Sequence, residues 1–294
     1  MNLNPDFLKD GGFRYEYSGH SYIELTKSKY YTFRGFIARE KYGKKFKSEK
    51  KIERIKKLKN QFWGPALVIA NGPSLSKISK NTIQQFSNSK SLFTVNNYLN
   101  YTSEPEIISN YHFICDNAYW DSNDPEKVEY RNKIRELQTR NDLVVVQPDY
   151  QEDFTGFNTI YIRKNPLTGF LKNIDVTRMN GLPNFTSFYA IATAIYLGYS
   201  PVYVAGLDLN YYSFIDYDPD QGWVLKSHHV YDIDSRKKEQ WRYRDTLLRI
   251  LNSNLIQIHY LSLFKKHNVR LVNDLKIHES LEIISTNKFN AIRN

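Results

Sequence analysis

The chain has 294 residues, 41% of them apolar, which is enough for a packed core and excludes a disordered chain. No run approaches the ~18 consecutive apolar residues of a spanning helix, and the single cysteine, Cys115, excludes an internal disulfide. The formal net charge is +10, and most of it sits in one segment near the start. The opening Met-Asn-Leu-Asn-Pro-Asp lacks the charged and apolar regions of a signal peptide, so a cytoplasmic protein is expected.

Residues 1–63 read as an extension rich in Tyr, Lys and Arg, with no strand signal. Between Arg39 and Lys59 eleven Lys or Arg stand against three Glu, a net of +8. Phe46, Ile52, Ile55, Leu58, Phe62 and Trp63 recur there at helical spacing. A basic helix with an apolar stripe fits an anionic inner-membrane surface, and it fits packing on its own domain equally well. A charge run of this kind also binds nucleic acid. No DNA or RNA recognition motif accompanies it, so no nucleic-acid partner is expected.

From residue 66 a regular alternation begins. Strands are predicted at 66–70, 91–96, 111–116, 142–147, 158–163, 201–206 and 268–273, and helices at 75–86, 124–139, 186–197 and 236–267. Short β-branched runs alternating with helical patterns predict an α/β fold, a single doubly wound, mainly parallel, Rossmann-like sheet. Two irregular segments, 164–185 and the Tyr-rich 209–235, read as binding loops or lids facing one site. The chain thus divides into a basic extension (1–63), a nucleotide-binding domain (64–285) with its lid, and a tail (286–294).

In such a sheet, ligands bind beyond the carboxyl ends of the strands. Four of those ends carry polar residues: Asn71-Gly72-Pro73-Ser74, Asn96-Asn97, Asp116-Asn117 and Gly206-Leu207-Asp208. Local turn chemistry explains any one of them; four on successive strands point to a site. An amide has donors and an acceptor and so reads a base or ribose edge without repelling phosphate. Gly72 is expected to let the backbone approach a ligand, and Ser74 to cap the following helix. The turn is neither G-x-x-x-x-G-K-[ST] nor G-x-G-x-x-G, which argues against a P-loop ATPase and an ordinary dehydrogenase. Thr186 or Ser187 is expected to cap the apolar helix 187–199, whose body reads as core. In the 209–235 loop, His228 and His229 are candidate general bases. Adjacent His without spaced partners are poor metal chelators, so no metal is expected. The 23 Tyr and 17 Phe suit sugar and base recognition, and an AT-rich genome accounts for them equally well.

Three blocks carry a family resemblance: Asn-Gly-Pro-Ser after strand one, Val-Asn-Asn after strand two, and Ala-Ile-Tyr-Leu-Gly-Tyr-x-x-Val-Tyr-Val-x-Gly-Leu-Asp. Over about residues 66–285 the chain resembles the bacterial sialyltransferases of lipooligosaccharide and capsule synthesis and a related group of flagellin-modifying glycosyltransferases. The resemblance implies a GT-A-variant nucleotide-binding fold, a CMP-sugar co-substrate, no metal and no other cofactor. It places Asn71, Gly72, Ser74 and Asn96 at the CMP moiety and Thr186 or Ser187 at the sugar or phosphate. It makes Tyr211, Tyr212 and Tyr217 candidates for steadying the departing phosphate, and His228 or His229, in Ser227-His228-His229, the base on the acceptor. Two departures stand out. Asp116-Asn117 falls where the family has an Asn, and the arginine that precedes the long helix is missing near Pro183-Asn184, with Arg163 or Arg178 as possible substitutes.

The expectation is an inverting glycosyltransferase that moves an acidic sugar, sialic acid or a similar one, from a CMP donor to a glycan or glycolipid acceptor. A homo-oligomer is compatible with this reading. The alternatives are another nucleotide sugar, or a Mg²⁺-dependent phosphotransferase of the pterin diphosphokinase-like type in which Asp116 and Asp208 hold the metal.

Overall fold

The computed structural model describes residues 52–101, 107–115, 119, 125–139, 143–146, 158–163, 173–178, 180, 182–183, 185–209, 215–219, 222–227, 239–242, 246–274 and 281–292. For residues 100–101, 137–139, 143–146, 215–218, 222–227, 239–242 and 246–255 only the backbone is described.

The predicted alternation is present. β1 (Ala66–Ile69), β2 (Leu92–Val95), β3 (Tyr111–Ile114), β4 (Leu143–Val146), β5 (Thr159–Tyr161), β6 (Val202–Ala205), β10 (Val269–Val272) and β11 (Glu282–Ile284) form one eight-stranded sheet. Its order is β11-β10-β6-β1-β2-β3-β4-β5, and every pairing is parallel. β1 and β6 are fully buried, as strands covered on both faces must be. From β1 the chain winds outward through β5, then returns to place β6 on the other side of β1. The strand order therefore reverses between β1 and β6, and the crevice for a ligand is expected there.

The helices are α1 (Glu53–Lys57), α2 (Lys80–Asn88), α3 (Tyr98–Tyr101), α4 (Pro125–Thr139), α5 (Thr186–Leu197), α6 (Thr246–Lys265) and α7 (Thr286–Ala291). Helix α5 carries the return crossover and is buried at every position but Ile195. It packs over β1, β2, β3 and β6, so an apolar residue on any side of it finds a partner. Its core face includes Phe188, Tyr189 and Ile191, packed with Val68, Phe93, Phe113 and Val204. On the opposite face Leu67, Ile69, Phe86, Tyr203 and Phe289 form a second cluster.

Three elements differ from the sequence expectation. The helix predicted from 75 is a 3₁₀ turn (Pro73–Lys77) followed by α2, whose cap is Ser79, accepting from the Thr82 N–H at 3.1 Å. The helix predicted from 236 begins at Thr246. Residues Glu239–Arg242 are instead strand β9 of a separate antiparallel sheet with β7 (Ile215–Asp218) and β8 (Gly222–Ser227), within and beyond the loop read as a lid. The residues from 286 form α7, with Phe289 buried and stacked on Phe86.

The basic segment is described from Ile52 onward. Ile52 and Ile55 are fully buried in the main core, with Leu58 and Phe62 packed against it. Backbone bonds from the Asn60 and Phe62 N–H groups to Tyr196 and Leu197 tie this stretch to the end of α5. The Phe62 ring stacks on Tyr199. These stripe residues pack on their own domain, and among the described stripe residues only Trp63 is largely exposed. Residues 39–51 lie outside the described residues.

Candidate functional site

The site is built from the carboxyl ends of β1, β2 and β6 and the first turn of α5. Beyond β1 the backbone stays zipped to β6: the Ala70 N–H donates to the Ala205 carbonyl and the Gly72 N–H to the Gly206 carbonyl, each at 2.8 Å. Two glycines permit this approach. A Cβ on Gly72 would lie 2.5 Å from the Gly206 carbonyl oxygen and 2.6 Å from Asp208 Oδ2. Gly206 has φ +69°, and a Cβ there would strike the Ala70 carbonyl. Gly72 itself has an ordinary extended backbone. Its lack of a side chain serves the closure of β1 on β6, a tighter and more local constraint than the ligand approach expected from the sequence.

Asp208 lies across this turn. Its Oδ2 accepts from the Ser74 backbone N–H at 3.0 Å, and its Oδ1 from the Asn273 side-chain amide at 3.3 Å. Ser74 therefore caps no helix. Gly72 occupies the cap position of the 3₁₀ turn, and the Ser74 N–H goes to a carboxylate. The Ser74 hydroxyl is buried and has no hydrogen-bond partner among the described residues.

Asn71 is buried, and its side-chain NH₂ donates to the Val95 carbonyl at the end of β2, at 3.3 Å. Its Oδ1 is buried with no partner among the described residues. An unpaired buried acceptor costs about 1–3 kcal/mol. Asn96 follows β2 in the left-handed region, φ +46°, which Asn tolerates better than most residues. Its Oδ1 accepts from the Thr186 hydroxyl at 3.0 Å, and its backbone N–H donates to the Phe113 carbonyl. Asn97 Oδ1 accepts from the Tyr119 hydroxyl at 2.7 Å. Helix α5 opens at Phe185 with no side-chain cap. Thr186 is turned to Asn96, and the Thr186 and Ser187 side chains are buried. An uncapped helix start leaves backbone N–H groups and the positive end of the helix dipole beside the strand ends.

Eight sequence-predicted residues thus meet at one end of the sheet: Asn71, Gly72, Ser74, Asn96, Asn97, Thr186, Ser187 and Asp208. Tyr217 falls in β7, opposite Trp223 in register. Asp116, Asn117, Tyr211, Tyr212, His228 and His229 lie outside the described residues. The two arginines considered as substitutes are elsewhere. Arg163 follows β5, the edge strand four places from β1, about 19 Å away at ~4.8 Å per strand. Arg178 is exposed beside Asp175, and it acts on Tyr196 in the last turn of α5, the end remote from Thr186.

Sequence reasoning missed two features. Asn273, at the end of β10, holds Asp208; it carries the same signal as the other strand-end amides, an Asn closing the run Val-Arg-Leu-Val. The other is a buried polar chain behind the site. His112 Nδ1 meets the Thr94 hydroxyl at 2.8 Å, His112 Nε2 meets the Tyr130 hydroxyl at 2.8 Å, and Thr94 meets Ser109 at 2.6 Å. Burial holds the His112 imidazole far below its ordinary range, down to about 3, so it is neutral. Among the described residues no cluster of three or more His, Cys, Asp or Glu side chains is placed to hold a metal ion. No described helix is long and apolar enough to cross a membrane.

The family model described as 6-hydroxymethylpterin diphosphokinase MptE-like matches residues 40–213, more than half of the chain. The chain belongs to this family. The match runs through β1 to β6, so the MptE-like region contains every strand end of the site except that of β10, and it stops short of β7. No curated protein matches the chain. Among solved structures, the chain is similar to a MAf glycosyltransferase from Magnetospirillum magneticum AMB-1, with 11% identity and a TM-score of 0.43. That similarity covers 76% of this chain and 34% of the other, so this chain spans about a third of that protein's length.

Proposed function

We propose that this protein is a nucleotide-dependent transferase of the glycosyltransferase kind. It moves an acidic sugar from a CMP-linked donor to a glycan acceptor with inversion and without a metal. The observation that carries this reading is the chemistry of the crevice. Residues 70–75, 96–97, 185–188 and 206–208 offer amides, hydroxyls, one carboxylate and a helix start, and contain no Lys or Arg. The nucleotide part of a CMP-sugar brings a single phosphodiester charge, besides the carboxylate of the acidic sugar itself, and neutral donors and a helix terminus can hold that phosphodiester. A nucleoside triphosphate brings about four charges and needs cations to match them.

On this reading Asn71 and Asn96 take the nucleoside, and Thr186 and Ser187 face the phosphate that departs. His228 or His229 receives the acceptor hydroxyl's proton. Tyr211, Tyr212 and Tyr217, in the segment after β6, steady the leaving phosphate and exclude water. Family membership supports the coarser statement, group transfer from a nucleotide. It also favours a second reading, transfer of a diphosphate from ATP to a pterin-like alcohol, with Asp208 among the Mg²⁺ ligands.

One assay separates the two. The purified chain is given CMP-sialic acid and a glycan acceptor, or ATP and 6-hydroxymethyldihydropterin, each with Mg²⁺ or with EDTA. CMP release that survives EDTA supports the first reading. AMP release from ATP that EDTA abolishes supports the second and removes the first.

A further inference from the structure

Asp208 is the only charged side chain placed on the crevice by the described strand ends of β1, β2 and β6, and it lies against the turn after β1. Its Oδ2 takes the Ser74 N–H at 3.0 Å, the backbone donor of the β1 turn. Gly72 has no side chain to hold the carboxylate away: a Cβ there would be 2.6 Å from Oδ2. Asn273 fixes the other oxygen from β10 at 3.3 Å. The cation closest along the chain to the β1 turn, Lys77, is engaged elsewhere, its ammonium 3.1 Å from Asp274. The turn after β1 is therefore filled by the protein's own anion, held from three strands. A second anion brought there meets like charge at a partly buried position, where salt screens poorly.

We infer that Asp208 is a specificity-determining residue that restricts the crevice to nucleotides carrying one phosphate and turns away di- and triphosphates. The inference rests on the reading of the crevice as a nucleotide site. It deepens that reading by assigning the choice of donor class to repulsion at the β1 turn, beyond the attraction supplied elsewhere. The carboxylate does a second thing at no cost to the first. It satisfies a backbone donor that would otherwise be open to any small anion.

The test is calorimetric titration of CMP, CDP and CTP into the full chain and its Asp208→Asn variant, without divalent cations. Asn keeps an acceptor for the Ser74 N–H, and a melting curve confirms that the variant is folded. The wild type is expected to bind CMP at least about tenfold more tightly than CTP, and the variant to shift that ratio towards CTP by about tenfold. A second measurement uses the wild type alone: because salt screens a partly buried charge poorly, the CMP-to-CTP ratio is expected to persist as ionic strength rises, and a ratio that collapses with salt overturns the inference. An unchanged ratio in the variant, with CMP still bound, overturns the inference and leaves the nucleotide reading standing. Repeated with Mg²⁺, a variant that loses CTP binding shows Asp208 to be a metal ligand, which also overturns it. Wild type that binds none of the three nucleotides overturns the reading and the inference together.

Discussion

At the scale of single residues, the site depends on groups whose size or charge leaves little room for change. Gly72→Ala places a methyl 2.5 Å from the Gly206 carbonyl and 2.6 Å from the Asp208 carboxylate. Backbone cannot yield as a flexible side chain can, so the variant is expected to lose about 1–3 kcal/mol of stability, read by urea unfolding. Stability equal to wild type would mean that β1 and β6 are not closed as described. His112 gives a prediction in pH. Its imidazole is held neutral by burial, with its pKa lowered from 6.5 to about 3. Between those values the unfolded chain binds a proton that the folded chain refuses, so this group lowers stability as pH falls. The slope is about 1.4 kcal/mol per pH unit, and the effect is absent above pH ~6.5. Unfolding curves at a series of pH values should show a shallower acid slope for His112→Gln than for wild type. The contribution was invisible in the sequence because Thr94 and Tyr130 each lie 18 residues from His112 along the chain. Asn71, Asn96 and Asp208, by contrast, are readable because each closes an apolar run, and Thr186 because it opens one.

At the scale of elements, legibility follows burial. Strands β1, β2, β3 and β6 of the main sheet are buried at every position, and seven of its eight strands announce themselves as continuous runs such as Val-Tyr-Val-Ala. The eighth, β11, Glu-Ile-Ile, is an edge strand that opens on an exposed charge, so its apolar run is only two residues long. β9, Glu-Gln-Trp-Arg, reads as helix by propensity, yet pairing with β8 makes it a strand. The cap of α2 stands five residues beyond the expected Ser74, because Pro73 opens a 3₁₀ turn that delays the helix to Ser79. Helix α1 shows how an apolar stripe gains meaning only from its partner. Sequence left it open to membrane or domain, and the burial of Ile52 and Ile55 gives both to the core. Ile55→Ala should then cost about 2–5 kcal/mol, measured as a shift in the urea midpoint. A change below about 0.5 kcal/mol, the size of a surface substitution, would detach α1 from the domain.

At the scale of the whole molecule, the parallel order β11-β10-β6-β1-β2-β3-β4-β5 puts β1 and β6 at the reversal of winding. One return crossover, through α5, brings its uncapped start to the same edge. The architecture itself therefore collects Asn71, Asn96, Thr186 and Asp208, which are spread over 138 positions of chain, at a single crevice. The proposed occupancy of this crevice by a CMP-linked nucleotide is tested by thermal unfolding of the full chain with CMP, UDP, GDP and ATP, each with and without Mg²⁺. A nucleotide at 100 times its dissociation constant stabilises by about 2.7 kcal/mol, a readily measured rise in melting temperature. That rise is expected with CMP, independent of Mg²⁺, and little or none with ATP. A rise with ATP that requires Mg²⁺, with no response to CMP, would contradict it.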